Sequence, residues 1–251
     1  MPFVNNNGTS IYCEEHGSGE PLVLMHGFTS SSKQWHMTGF VDGLKDAYRL
    51  ILIDARGHGQ SDKPHDAATY ALEHRLADIN TVLDALDITT SHFLAYSMGG
   101  WQTFGMALHY PQRIRSLVIG GAHPFADSLQ AFARTDSSNP DAFIAAMENF
   151  IGEKMRPEAL PFVLQNDIRA LLAAASDREG YAARLADIKA PLMLFVGDRD
   201  RRLALVQKTA EELHAEKLLL VPGTNHSSTL FASATILPVL KEFLQQNRAG
   251  G

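Results

Sequence analysis

A single cysteine, Cys13, among 251 residues excludes an internal disulfide and any cysteine-based metal cluster. Positive charge is also sparse. Lys and Arg together number 22 against 28 Asp and Glu, the formal net charge is −6, and no clustered basic run supplies local attraction to phosphate backbones or anionic lipid. Neither a nucleic-acid partner nor a membrane partner is therefore expected. No apolar run reaches the length of a bilayer span, and the opening Met1-Pro2-Phe3-Val4-Asn5 lacks the basic patch and apolar core of a leader, so the expectation is a soluble, unprocessed, cytoplasmic protein. Internal repeats and low-complexity tracts are absent. Histidines are not scarce, but His16, His36, His65, His74, His92, His109 and His214 fall at no metal-ligand spacing, and no metal or other cofactor is expected. What is present is apolar content, 45% of the chain, enough for one large core or one core with an inserted subdomain.

Short β-rich apolar runs alternate with longer helical patterns, which predicts an α/β fold with a mostly parallel central sheet flanked by helices. The predicted strands are Thr9 to Glu15, Pro21 to His26, Tyr48 to Asp54, Ser91 to Tyr96, Ser116 to Gly120, Pro191 to Val196 and Lys217 to Val221. Between them, Leu72, Leu76, Ile79, Leu83 and Leu86 recur at helical intervals, with Glu73, Asp78 and Asp84 off that stripe; this is an amphipathic crossover helix. One interval breaks the alternation. Residues 124–187 carry helical patterns without a convincing strand, and Phe125, Phe132, Phe143, Met147, Phe150, Met155 and Phe162 exceed what a plain crossover requires. The expected organisation is a core of residues 1–123 and 188–251 with a small helical cap inserted at 124–187. Within the cap, Ser138-Asn139-Pro140-Asp141 reads as a helix start, with a capping side chain before a proline at the first helical position. The terminal Asn247 to Gly251 reads as a frayed tail.

Chemistry concentrates at Ala95-Tyr96-Ser97-Met98-Gly99-Gly100, which lies between a strand and a helix. A turn this sharp exposes the serine hydroxyl and leaves the next N–H free at a helix start, while the small Ala95 and Gly99 let strand and helix pass closely. A serine hydroxyl is a weak nucleophile near neutral pH and needs a base with a third group to orient it. The last third of the chain offers both: Gly197-Asp198-Arg199-Asp200 follows one strand and Pro222-Gly223-Thr224-Asn225-His226 follows the next. Loops after strand carboxyl ends converge on one edge of an open α/β sheet, so serine, carboxylate and histidine can meet there.

The order Ser97, Asp200, His226 resembles that of the α/β-hydrolase fold superfamily, as do His26-Gly27-Phe28 after an early strand and Asp54-Ala55-Arg56-Gly57-His58-Gly59-Gln60-Ser61-Asp62 after the next. The resemblance spans nearly the whole chain. It implies Ser97 as nucleophile, His226 as base and Asp200, favoured over Asp198 by the superfamily's Gly-x-x-Asp spacing, as the group that orients the imidazole. It also implies an oxyanion hole from the backbone N–H groups of Phe28 and Met98, and structural roles for His26 and His58. The expected pocket wall is His123, Phe125, Trp101, Phe143 and Met147. Serine at the elbow disfavours the dehalogenases and epoxide hydrolases of the superfamily, which use aspartate there. The implied activity is hydrolysis of small to medium apolar carboxylic esters through an acyl-enzyme, as in bacterial carboxylesterases, enol-lactone hydrolases and carrier-protein methyl esterases. Three other uses of the same triad remain: hydrolysis of lactones, of carbon–carbon bonds in ring-cleavage products, and acyl transfer, to peroxide among other acceptors. For a ring-cleavage substrate, Arg56, Arg134, Arg156 and Arg169 are the candidate carboxylate partners. A slow-turnover ligand receptor on the same scaffold is the alternative outside catalysis.

Overall fold

The computed structural model describes residues 2–129, 132, 135–155, 157, 159–175, 178 and 180–248. Its centre is an eight-stranded sheet in the order β1-β2-β4-β3-β5-β6-β7-β8. The strands are β1 (Phe3–Asn6), β2 (Thr9–His16), β3 (Glu20–Met25), β4 (Tyr48–Ile53), β5 (Ser91–Tyr96), β6 (Ile114–Gly120), β7 (Leu192–Gly197) and β8 (Lys217–Val221). β1 and β2 pair antiparallel with each other and β2 antiparallel with β4; every other pairing is parallel. The central strands read as near-continuous apolar runs because both of their faces are covered, and every residue of β5 and β7 is buried.

All seven strands expected from sequence are present, with ends displaced by at most two residues. β1 is additional. Asn7 and Gly8, both at positive φ (49° and 90°), make the two-residue turn that folds it onto β2 with Asn6 opposite Thr9. Helices cover both faces. α3 (Leu72–Ala85), α4 (Met98–His109) and the helix Leu203–Glu212 pack on one apolar cluster; α1 (Lys33–Met37), α2 (Phe40–Leu44) and the helix Ser233–Gln246 pack on the other. α3 departs from its expected pattern at Asp78, which is buried rather than turned to solvent. Its carboxylate accepts two bonds from Arg56, Nε and Nη2 each at 2.6 Å, and one from Asn6 at 2.7 Å, so the charge is fully partnered inside.

Between β6 and β7 the described residues form the helices Pro140–Ile151, Leu160–Leu164 and Ile168–Ala174 and a 3-10 turn at Ala182–Asp187, with one isolated bridge, Asp127 to Arg178, and no strand. Asn139 caps the first of these, its side chain accepting from the Ala142 N–H at 3.0 Å, and Pro140 follows at the first helical position. Phe132, Phe143, Met147, Phe150, Val163 and Leu171 close into an apolar cluster separate from the two flanking the sheet. The C-terminal helix ends at Gln246, and residues 249–251 lie outside the described part. No helix among the described residues is long and apolar enough to cross a membrane.

Candidate active site

Ser97 sits between β5 and α4 at φ 51° and ψ −111°, a conformation that L residues rarely adopt. Three contacts hold it there. Its N–H donates to the Gly120 carbonyl of the neighbouring strand at 2.9 Å, its carbonyl accepts from the Trp101 N–H of α4 at 3.1 Å, and the Gly99 N–H donates to the His26 carbonyl at 3.1 Å. A Cβ on Gly99 would lie 2.4 Å from the Met25 carbonyl oxygen, so α4 passes β3 at a distance that only glycine permits.

β7 and β8 are paired through Gly197 and Val221, and the loops after them bring Asp200 and His226 to the serine. The Ser97 hydroxyl lies 3.0 Å from His226 Nε2, and His226 Nδ1 lies 2.7 Å from Asp200 Oδ2. With its proton on Nδ1, the imidazole donates to Asp200 and accepts from Ser97. Asp200 is buried, and its other oxygen accepts from the Arg202 N–H at 2.9 Å. Asp198, by contrast, is exposed and accepts from the Gly223 N–H at 2.8 Å, tying the two loops together away from the imidazole. Tyr96 fixes the ring from one side: its hydroxyl donates to the His226 carbonyl at 2.6 Å and its ring stacks on the imidazole at 5.2 Å. Gly121, at φ 56°, fits close beside it, since a Cβ there would be 3.0 Å from His226 Cε1.

Burial lowers the His226 pKa below the ordinary histidine value, and the nearby positive charge of Arg202 lowers it further; the hydrogen bond and charge of Asp200 offset this only in part. Burial pushes the Asp200 carboxyl upward, but its hydrogen bond from His226, the His226 charge and the Arg202 amide outweigh burial and leave it below the ordinary carboxylate range. Near neutral pH the pair is therefore a neutral imidazole held by a carboxylate.

Met98 opens α4, so its N–H is among the donors that a helix leaves without an internal acceptor. Among the described residues, the Phe28 N–H, in the loop after β3, donates to no backbone carbonyl. That loop is held from behind by His26, whose Nδ1–H donates to the Gly27 carbonyl at 2.7 Å while Nε2 accepts from the Ala55 N–H at 3.1 Å. His58 is buried against it, with ring centroids 5.3 Å from His26 and 5.5 Å from Phe28. Burial lowers the pKa of both histidines. Asp54 accepts from the Ser32 N–H at 2.6 Å and the Gln60 N–H at 2.8 Å, stapling this loop to the one after β4.

A cavity of about 430 Å³ opens at Ser97 and His226. Its apolar wall comes from Phe28 and Met37 on the sheet side, Met147, Phe150 and Phe162 from the helices between β6 and β7, and Phe231 after β8. Of the five side chains expected to line the pocket, only Met147 does so. Phe143 turns away into the apolar cluster with Phe132, because the helix Pro140–Ile151 presents Met147 and Phe150 toward the sheet edge instead. Trp101, His123 and Phe125 border a second, minute cavity of about 10 Å³ on another side of Ser97, shared with Asp127, Arg178 and Arg202. There, among the described residues, His123 Nδ1 and both terminal nitrogens of Arg202 are buried without a hydrogen-bond partner, and Arg202 pairs with Asp127 at 3.6 Å. The space suits a single water-sized group.

Of the four arginines singled out from sequence, the two that are described lie away from the site. Arg56 is paired with Asp78, Arg169 is exposed and lines neither cavity, and Arg134 and Arg156 lie outside the described residues. Sequence reading also missed Glu153, which accepts from the Ser227 N–H at 3.0 Å and from the Ser227 hydroxyl, so that the helical segment grips the residue after His226. No local pattern announces that contact, which spans 74 positions.

The profile of the alpha/beta hydrolase fold family matches residues 20–155. The chain is 25% identical over 256 aligned positions to a putative 2-succinyl-6-hydroxy-2,4-cyclohexadiene-1-carboxylate synthase of Bacillus subtilis, covering 92% of each protein. It is 29% identical over 224 positions to a 2-hydroxy-6-oxononadienedioate/2-hydroxy-6-oxononatrienedioate hydrolase of Cupriavidus pinatubonensis, covering 76% of this chain and 74% of that protein. Among solved structures, an N-acyl homoserine lactone degrading enzyme superposes with a TM-score of 0.79 at 26% identity, over 96% of this chain and 100% of that one.

Proposed function

We propose, since the chain belongs to the alpha/beta hydrolase fold family, that it is a serine hydrolase of carboxylic esters of small to medium apolar acids or alcohols. The carrying observation is the strained Ser97, whose hydroxyl lies 3.0 Å from an imidazole that is neutral and oriented by a carboxylate. Ser97 Oγ attacks the ester carbonyl while His226 Nε2 takes its proton; the N–H groups of Met98 and Phe28 stabilise the oxyanion; the alcohol leaves with the proton from His226. Water activated by the same imidazole then releases the acid and frees Ser97. Asp200 stays ionised throughout and holds the imidazolium. Residues 124–187 act as a helical cap whose Met147, Phe150 and Phe162 select the acyl or alkoxy chain, and a cavity of about 430 Å³ suits a medium-sized ester.

The test is turnover of a chain-length series of p-nitrophenyl esters by the wild-type protein and Ser97→Ala, with a fluorophosphonate label on each. Many turnovers, lost by on the order of 10⁴-fold or more in Ser97→Ala, support the reading. Specific labelling of Ser97 with only stoichiometric ester cleavage overturns it in favour of a slow-turnover receptor.

One observation favours a second reading, a substrate with a carboxylate close to the scissile bond. Arg178 and Arg202 border the minute cavity beside Ser97, and the terminal nitrogens of Arg202 lack a hydrogen-bond partner. A carboxylate oxygen fits that space and supplies the missing acceptor. On this reading the Arg178→Met variant raises KM for a half-ester of a dicarboxylic acid, or for a 6-oxo acid cleaved at a carbon–carbon bond, and leaves KM for a neutral ester unchanged.

A further inference from the structure

Three side chains of metal-ligating type, two from β2 and one from α1, meet at the antiparallel part of the sheet and are unused by the proposed chemistry. Glu14 and His16 are two residues apart on β2 and so project from the same face of the strand. α1 lies over that face and supplies His36. His36 Nε2 is 2.7 Å from Glu14 Oε1, and His16 Nε2 is 3.7 Å from the same oxygen. One donor atom from each of the three residues lies within 4.8 Å of the other two, and the imidazole rings meet edge to face with centroids 4.9 Å apart. His16 Nε2 is buried and, among the described residues, makes no hydrogen bond.

A Glu–His hydrogen bond accounts for two of these three groups and leaves His16 Nε2 facing the same oxygen without a bond. A divalent cation accounts for all three. Two imidazole nitrogens and one carboxylate oxygen are the donors preferred by borderline divalent ions, and a tetrahedral zinc ion at its usual bond lengths sets its donor atoms about 3.4 Å apart. The 2.7 and 3.7 Å separations bracket that value, so small side-chain rotations bring the donors to it. A supporting contact is already in place, as the Tyr12 hydroxyl donates to Glu14 Oε2 at 3.2 Å and leaves Oε1 for the ion. The side chains are partly exposed, at 23% for Glu14, 33% for His16 and 40% for His36, so an ion has an entry path and a fourth position open to water.

We propose that Glu14, His16 and His36 form a binding site for a divalent transition-metal ion, zinc foremost, that fastens α1 to β2. None of the three lines the large cavity, whereas Gln34, Met37 and Thr38 of the same helical turn do, so the ion steadies one wall of the cavity from behind. The site is structural, and the chemistry at Ser97 proceeds without it. The reading is independent of the ester-hydrolase assignment.

The test is isothermal titration of chelator-treated full-length protein with zinc chloride near neutral pH, repeated on His16→Ala, His36→Ala and, as a control, His65→Ala. His65 pairs with Asp167 elsewhere on the surface. One equivalent of zinc bound with micromolar affinity, weakened at least about 10-fold in the His16 and His36 variants and unchanged in His65→Ala, is the expected result. His36 is exposed enough that its alanine variant tests the site even where His16→Ala fails to fold. Absence of saturable binding, or equal binding by His36→Ala and the wild-type protein, overturns the proposal.

Discussion

The carboxyl edge of the sheet and the helical segment between β6 and β7 face each other across one cavity and are built on opposite principles. At the edge, Ser97, Asp200 and His226 come from three distant points of the chain, each in the turn or loop after a parallel strand, β5, β7 and β8 in turn. Their spacing is set by backbone register, by the 2.9 Å bond from the Ser97 N–H to the Gly120 carbonyl and by glycine-only clearances. The helical segment has its own apolar cluster and short helices, and side-chain contacts tie it to the rest of the molecule, among them Glu153 to Ser227, Asn166 Nδ2 to the Thr29 carbonyl at 3.0 Å, Arg75 to the Ala174 carbonyl at 2.7 Å and His65 to Asp167 at 2.8 Å. For the proposed chemistry, a displacement of a few tenths of an ångström at the edge costs rate, whereas the same displacement in the segment re-shapes a wall. On the proposed reading, reaction type belongs to the edge and choice of substrate to the segment.

The sharpest way to break this division is within one loop. Asp200→Asn is expected to lower kcat by ~10³–10⁴-fold with KM little changed, since the imidazole loses its orienting carboxylate. Asp198→Asn, two residues away, leaves kcat within about 3-fold and lowers only the melting temperature, because that side chain holds a turn. Steady-state kinetics and thermal melts on both variants check this, and comparable losses of kcat erase the distinction.

Next in size is Gly99→Ala. Its Cβ would sit 2.4 Å from the Met25 carbonyl oxygen, and backbone cannot yield as a side-chain tip can. Displacement of α4 is expected to destabilise the protein by ~1–3 kcal/mol and to move the Met98 N–H away from the nucleophile. A melting temperature and a kcat both equal to wild type are the outcome that refutes the close-passage argument.

The pH profile tests the edge as a whole. The His226 pKa is lowered, first by burial, so the acid limb of kcat/KM on a neutral ester should have its midpoint below the free-histidine value of about 6.5. Stability follows the same sign. His26, His58, His123 and His226 are held below their ordinary value by burial, and His92 is pushed down to about 4. The unfolded chain takes up those protons first, so their contribution to stability is complete above about pH 6.5 and is lost progressively as pH falls toward the folded values. Urea melts across that range provide the check, and a midpoint independent of pH there contradicts it.

The smallest expected effect lies in the segment. Phe162, 44% exposed at the cavity wall, should on substitution by alanine raise KM several-fold for long-chain p-nitrophenyl esters while leaving acetate turnover nearly unchanged. Equal losses on both substrates would move Phe162 from substrate choice into the chemistry.

The same contrast explains what the sequence discloses. Strand runs, the elbow around Ser97 and the two polar loops after β7 and β8 are local patterns, and the rule that loops at strand carboxyl ends converge assembles them. β1 was missed: its half-exposed Phe3–Asn6 run is too short to read as a strand alone, and only the Asn7-Gly8 turn signal marks it. Cavity walls are a different matter. Whether Phe143 or Phe150 faces the sheet depends on how the helix Pro140–Ile151 docks, and apolar periodicity marks a buried face without saying what it is buried against. Charged groups were the least legible. Arg178 and Arg202 reach Ser97 only through the tertiary fold, and His36 meets Glu14 and His16 across about 20 positions.

The backbone of Ser97 carries a further consequence. Glycine adopts a φ of 51° and ψ of −111° at no steric cost, whereas serine there stores strain on the order of 1–3 kcal/mol. Ser97→Gly is thus a substitution expected to abolish turnover while relieving that strain. Selection for thermal robustness alone would drift toward it, so a serine at this position is maintained only while its hydroxyl is in use, and a descendant lineage released from catalysis should lose that residue early.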